Sequence, residues 1–378
     1  MSHPTLGRRR RVLPFALVAL ATLSRRTAGC VRWTVPLLAA LIGCGEGEPA
    51  SGGGHLVMEV SERWTSIAMP GEDLDSPVLW RDGARGGAEV LVTAKQGDRV
   101  HRFSLATGDV IGVVGGPGTA LGTFDRPNGI AIRDSLLLVV ERDNHRVQVL
   151  ALPTFRPLGS FGAEVLVKPY GLWVAPAAAG HRRVFVTDNY DAGGEEHRDT
   201  LAMTRRVWMF DVRADGGSVT ATTLRAFGDT AGRGVLHIVE SLWADSVSGS
   251  LLIADEDTAR GMNVKVYDRE GRFTGATVGD SVFRHQVEGI ALDARPDGSG
   301  YWVISDQGKA RTTFHLFDRV TWRHVGSFQG RRTANTDGIW LDASPLPGFP
   351  RGVLLAVDDD AAVAAFDWGE VLEALRLP

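Results

Sequence analysis

Six stretches of this chain follow one pattern, and that repetition limits the fold more than anything else in it. DSPVLW (75–80), PNGIAI (127–132), PYGLWV (169–174), VESLWA (239–244), VEGIAL (287–292) and TDGIWL (336–341) each run from a polar turn into alternating apolar residues. After a further turn comes a second apolar strand with a polar end: EVLVTAKQG, LLLVVERDN, RVFVTDNYD, SLLIADEDT, YWVISDQGK and GVLLAVDDD. A third strand closes each unit: RVHRFSL, RVQVLAL, RVWMFDV, NVKVYDR, TFHLFDR and AVAAFDW. A fourth is less regular, as in DVIGVVG and RHVGSFQ.

Side chains alternate between the two faces of a strand, and this apolar alternation suits strands packed between neighbouring units. Six self-similar units of about four strands predict an all-β chain folded as a six-bladed β-propeller over residues 60–378. A β-sandwich would not need the repetition. Insertions vary the spacing, notably Ala192 to Arg206 in the third unit. The glycine entering the first strand suits a position of unusual φ/ψ. WGEVLEALRL at the C-terminus is the main helical candidate.

The N-terminus departs from this pattern. Arg8 to Arg11 precede an apolar run from Val12 to Leu23, and Arg25, Arg26 and Arg32 precede a second from Trp33 to Gly43. Positive charge ahead of a short apolar run reads as an export signal over 1–43. The run ends in Leu-Ile-Gly-Cys44, similar to a bacterial lipoprotein signal in which the cysteine becomes the lipidated residue. A plain signal peptide cut nearby is the alternative. Residues 44–59, opening GEGEPASGGG, read as a flexible linker. Export to the cell envelope, anchored through lipid at Cys44 or else secreted, is the expectation. Lipid is then the protein's only membrane contact.

No cysteine follows Cys44, which excludes disulfide stapling, a cysteine zinc site and thiol catalysis beyond it. A net charge of −4 gives no basis for nucleic-acid binding. The ten histidines are scattered, with no His-Glu-x-x-His and no pair at metal-ligand spacing. A monomer is expected.

Two resemblances add to this reading. Residues 122–162, with Phe-x-x-Pro-x-Gly-Ile followed by acid-Arg-x-Asn-x-Arg-Val-Gln-Val, resemble an NHL repeat. That pattern implies propeller architecture and says little about function. VEGIALDARPDGSGYWVISDQGKARTTFHLFDR, then NTDGIW, FPRGVLLAVDDD and FDW, resemble the closing blades of the β-propeller phytases. SLWADSVSGSLLIADED, KPYGLWV and LDSPVLW with its later TAKQG extend that resemblance backwards.

The phytase resemblance implies calcium ions gathered by carboxylates at one end of the channel, with basic residues holding the phosphates of a phytate-like small molecule. Hard Ca²⁺ prefers such oxygen donors. Carried across, it makes Asp75, Glu240, Glu288 and Asp337 candidate ligands at blade entries, with Glu256 and Asp358 as additions on strand ends. Glu240, Glu288 and Asp337 are also the catalytic candidates, and Lys95, Arg142, Tyr170 and Gln307 fall where phosphates or waters would be held. Glu240 and Glu288 stand out without the family, because both precede the first apolar strand of their unit.

Plainer readings stay open. Asp75 and Asp337 are ordinary turn formers. Arg142 suits strand pairing, Lys95 a solvated turn, Tyr170 packing between blades, and Asp255 to Asp257 protection of a strand end. The chain also departs from the family. Ser76 and Gln286 stand where it has acids, and Ala361 stands where it has an asparagine. Asn189 replaces a lysine for which Arg205 and Arg206 are candidate substitutes. A non-catalytic NHL-like surface propeller binding a protein or glycan, or another metal-dependent hydrolase such as a lactonase, are the alternatives.

Overall fold

A computed structural model describes residues 56–378 except 83–86, 190–199, 216 and 261. The signal over 1–43, Cys44 and most of the linker lie outside the described residues. Six antiparallel sheets follow one another along the chain. The first has strands Leu74–Asp82, Gly87–Ala94, Arg99–Ser104 and Val110–Gly115. The second has Pro127–Arg133, Leu136–Glu141, Arg146–Ala151 and Arg156–Phe161. Equivalent strands build the third, fourth and fifth, and the inner strands line one channel. The fold is the six-bladed β-propeller expected from the repeats. The C-terminal helix, Trp368–Ala374, is capped by Asp367, whose side chain accepts from the Glu370 N–H.

The sixth blade is assembled from both ends of the chain. Ile339–Asp342, Val353–Asp358 and Ala362–Asp367 come from the C-terminal side. Trp64–Thr65 supplies its outer strand by pairing with Ala365 and Ala364. Just before, Val57–Glu59 runs parallel to the outer strand of the fifth blade, opposite Ser327 to Gln329. The chain is therefore in the sheets from Val57, three residues before the expected start, and this short segment ties blade five to blade six.

Strand alternation explains the packing. In the second strand of blade four, Leu251 and Ile253 face blade three, while Leu252 and Ala254 face blade five. The pattern repeats around the ring, giving one apolar cluster per blade interface. Fully burying a side chain of this kind contributes roughly 1.5–3 kcal/mol.

A repeated acid fixes the loop that leads into each inner strand. It stands at the end of the second strand of blades two to six, or one residue before it in blade five: Glu141, Asp188, Asp255, Asp306 and Asp358. Asp188 accepts from the backbone N–H groups of Val167 and Lys168, Asp255 from His237 and Ile238, and Asp306 from Arg284 and His285. Glu141 accepts from Asp125, and Asp358 from Ala334. In the NHL-like blade, Arg146 grips both oxygens of Glu141 at 2.7 and 3.1 Å, and Gln148 adds a bond at 2.9 Å. Glu256 and Gln307, each one residue past its brace acid, reach the channel cluster instead.

Candidate metal centre

Just before the channel-lining glycine or serine, each blade contributes one side chain: Asp75, Asn128, Tyr170, Glu240, Glu288 and Asp337 in blade order. The glycines are there because the inner strands pass very close together. A Cβ on Gly129 would lie 2.6 Å from the Tyr170 carbonyl, on Gly171 2.2 Å from that of Glu240, and on Gly338 2.4 Å from that of Asp75. None of the three has a positive φ, so the expectation of unusual backbone angles is replaced by one of close approach. Hydroxyls from the second strands pin carbonyls of the same ring. Thr187 donates to the Glu240 carbonyl at 2.8 Å and Thr93 to that of Asn128 at 2.5 Å.

Around this ring the carboxylates converge. Oxygens of Glu240, Glu256 and Glu288 all lie within 4.8 Å of one another. Glu256 comes from the end of blade four's second strand, one residue past the brace acid Asp255, and so points the other way. It is 3% exposed, and its Oε1 has no hydrogen-bond partner. Beside this trio, the Tyr170 hydroxyl donates to Asp75 Oδ1 at 3.2 Å and also meets Glu240. The buried Lys95 ammonium sits 2.7 Å from Asp337, 3.2 Å from Asp75 and 3.3 Å from Asp73. Gln307 Nε2 donates to Asp337 Oδ1.

Burial and mutual repulsion shape the electrostatics. Glu240 is pushed up to about 8, first by burial and then by Asp75 and Asp337. Asp337 rises to about 7 through burial, although Lys95 holds it down. Burial, followed by the charge of Glu240, raises both Glu256 and Glu288, which hydrogen-bond each other. Burial works against the Lys95 ammonium, but Asp75 and Asp337 outweigh it and hold the lysine protonated. Lys95 also draws Glu240 down, while neighbouring carboxylates raise Glu256 and Glu288.

The donor set fits a hard divalent cation. Two oxygens on opposite sides of a Ca²⁺, at bonds of about 2.4 Å, lie about 4.8 Å apart. All three side chains offer carboxylate oxygen, and one buried oxygen is without a partner. Glu240, Glu256 and Glu288 are the residues that would hold the ion, with Asp75 and Asp337 alongside.

Two candidates stand elsewhere. Asp358 is the brace acid of blade six, bonded to the Ala334 N–H at 3.0 Å, with Glu62, Asp359 and Arg332 among its charged neighbours. Counting along the repeat, the residue matching Glu256 is Asp359. Arg142 pairs with its neighbour Asp143 at 2.7 Å, while the NHL-type strand pairing falls to Arg146. Arg206, a candidate substitute for the missing lysine, is fully buried, with Nη1 3.4 Å from the Asp188 carbonyl. Sequence reading missed Asn128, which is fully buried in the ring with both side-chain amide atoms unpartnered. Its place in the repeat, equivalent to Glu240 and Glu288, was the available signal.

Most of the carboxylate cluster lies in the second half of the chain, which is where the family match falls. Residues 209–366 match the phytase family model. The resemblance to β-propeller phytases is borne out over that stretch, which carries Glu240, Glu256, Glu288, Gln307 and Asp337. A 3-phytase of Bacillus subtilis (strain 168) is 30% identical over 135 residues, covering 32% of this chain and 34% of that protein. The chain therefore spans about a third of that phytase's length. Among solved structures, hydrazine synthase of Kuenenia stuttgartiensis is 13% identical at a TM-score of 0.47, covering 82% of this chain and 81% of that one. A nidogen/laminin complex chain is 15% identical at 0.49, covering 72% and 87%. Neither bears on function. Asp75, Lys95 and Tyr170 lie outside the phytase match and join the site through the contacts above.

Proposed function

We propose that this protein is a calcium-dependent phosphomonoester hydrolase acting on phytate or a related phosphate ester. The observation that carries the reading is the convergence of Glu240, Glu256 and Glu288, with a buried unpartnered oxygen, inside the stretch that matches phytases. Calcium at this trio would neutralise the carboxylates, draw in an anionic phosphate and stabilise charge on the phosphoryl group. Glu240, Glu256 and Glu288 hold the cation. Lys95 and Gln307 orient Asp337, which is placed to take the proton of a water attacking phosphorus and to return it to the leaving alcohol oxygen. Tyr170 fixes Asp75 and Glu240 across the ring. Export and lipid anchoring at Cys44 complete the proposal.

The test is phosphate release from phytate at saturating calcium, repeated with chelator and with Glu288→Gln. Calcium-dependent release that falls at least a hundredfold in the variant is expected. Release that ignores chelator, or an equally active Glu288→Gln protein, overturns the reading. Absence of any release, with calcium still raising the melting temperature, would favour the non-catalytic propeller.

A further inference from the structure

Blade two enters the ring with a residue that its backbone does not favour. Two positions before their ring side chains, blades one, two and six each place a residue in the left-handed region: Asp73 at φ 55°, Arg126 at 50° and Asn335 at 44°. Apart from glycine, Asp and Asn take this conformation most readily, because a short polar side chain suits it. An arginine gains nothing from such a backbone. A residue held in a sparsely populated region points to the work of its side chain.

The turn itself does not use the guanidinium. The Arg126 N–H donates to Asp98 Oδ1 at 2.8 Å, and its carbonyl accepts from the Arg142 N–H at 3.0 Å. Arg126 Nε is buried with no hydrogen-bond partner. Nη2 lies 4.0 Å from Asp73 Oδ2, beyond the usual 2.7–3.2 Å of a hydrogen bond to nitrogen. The other oxygen of Asp73 is 3.3 Å from the Lys95 ammonium, which also meets Asp75 and Asp337. Arg126 therefore stands at the edge of the carboxylate ring, one carboxylate away from Lys95.

The other cations near the ring are already engaged. Lys95 serves three carboxylates, and Arg142 is paired with Asp143 at 2.7 Å. Arg126 has no close acid, and Asn128, two residues on, has both amide atoms unpartnered. Blade two thus brings a guanidinium and an amide to the ring, where blades four and five bring Glu240, Glu256 and Glu288. In a ring of six it stands opposite blade five. We propose that Arg126 is a phosphate-binding residue of this site, holding phosphate oxygens of the substrate from the side opposite the carboxylate trio. The inference rests on the reading that a phosphate ester is drawn to a cation at that trio. A guanidinium presents its N–H groups as a planar fork that matches two phosphate oxygens, and neither Lys95 nor Arg142 has such a fork to spare. A phosphate would replace the long contact with Asp73 by direct hydrogen bonds and give the buried Nε a partner.

The test is calorimetric titration of the full-length protein, at saturating calcium, with myo-inositol hexasulfate as a stable stand-in for a phosphorylated ring. Arg126→Met should weaken binding at least tenfold, and Arg126→Lys should recover part of that loss. Arg142→Met should bind as the wild type does. Calcium affinity and melting temperature should be unchanged in Arg126→Met, because the turn is held by its backbone, so a lost ligand contact is separated from a disturbed fold. The titration does not depend on turnover. Binding through Arg126 without phosphate release from phytate would end the hydrolase reading and leave this one standing. No hexasulfate binding by the wild type, undiminished binding in Arg126→Met, or an equal loss in Arg142→Met overturns the proposal.

Discussion

Lys95 of the first blade donates to Asp337 of the sixth at 2.7 Å, across the seam where the propeller closes. Asp75 and Asp73 share the same ammonium. Removing one partner of a buried ion pair costs about 3–5 kcal/mol, chiefly because the other charges stay behind. Lys95→Met should therefore cost about 3 kcal/mol or more in urea unfolding at pH 7 with chelator present. A loss below about 1 kcal/mol would mean the ammonium is not the counter-ion of this seam.

Removing calcium should reverse the usual pH dependence of stability. Glu240 and Asp337 titrate at about 8 and about 7 in the fold, above their ordinary 4.5 and 3.8. Between those limits the native state binds more protons than the unfolded chain, so stability falls as pH rises. The penalty is absent below the unfolded values and complete above the native ones. In chelator, the melting temperature should drop steadily from pH 5 to pH 9, and saturating calcium should flatten that slope. A flat profile in chelator would show that the carboxylates are already compensated.

Gly171 offers a test of positioning. A Cβ there would lie 2.2 Å from the Glu240 carbonyl, and backbone cannot yield as a flexible side chain does. Gly171→Ala should displace the Glu240 backbone, weakening calcium binding at least tenfold and lowering the melting temperature. Blade four carries Ser241 at the equivalent place, so Ser241→Ala in the same ring is the control expected to change little. Equal calcium affinity in the two variants would show that this close approach does not set Glu240.

The two-residue period of the strands made the blades legible, because burial on both faces forces continuous apolar runs. It also brought Glu240 and Glu288 forward, since equivalent repeat positions converge on one channel. The same period hid the distinction between Asp358 and Asp359, because a slip of one residue moves a side chain from channel to brace. Lys95, Tyr170 and Asp75 meet only once the ring closes, so their spacing in the chain carries no signal. Trp64–Thr65 is too short to read as a strand until the sixth blade supplies a partner.

Arg319 and Asp245 bind blade five to blade four away from the channel. Arg319 Nε and Nη2 reach the two carboxylate oxygens of Asp245 at 2.8 and 2.9 Å, and both side chains are almost wholly buried. Nη1 also bonds the Arg295 and Ser299 carbonyls, so the guanidinium fastens a turn as well. Burial raises the Asp245 pKa, but the Arg319 bonds together with those from the Val247 N–H and Ser248 outweigh it and leave the carboxyl below its usual range. Its stabilisation is therefore present above the ordinary 3.8 and lost as pH falls through the lower native value. Arg319→Met should cost about 3–5 kcal/mol at pH 7, because Asp245 is left charged and buried. Asp245→Asn in that background should recover part of the loss, since the unpaired charge is what costs most. Urea unfolding of the single and double variants separates the cases: a double variant less stable than Arg319→Met would mean that the Asp245 charge is satisfied by the neighbouring backbone without its arginine.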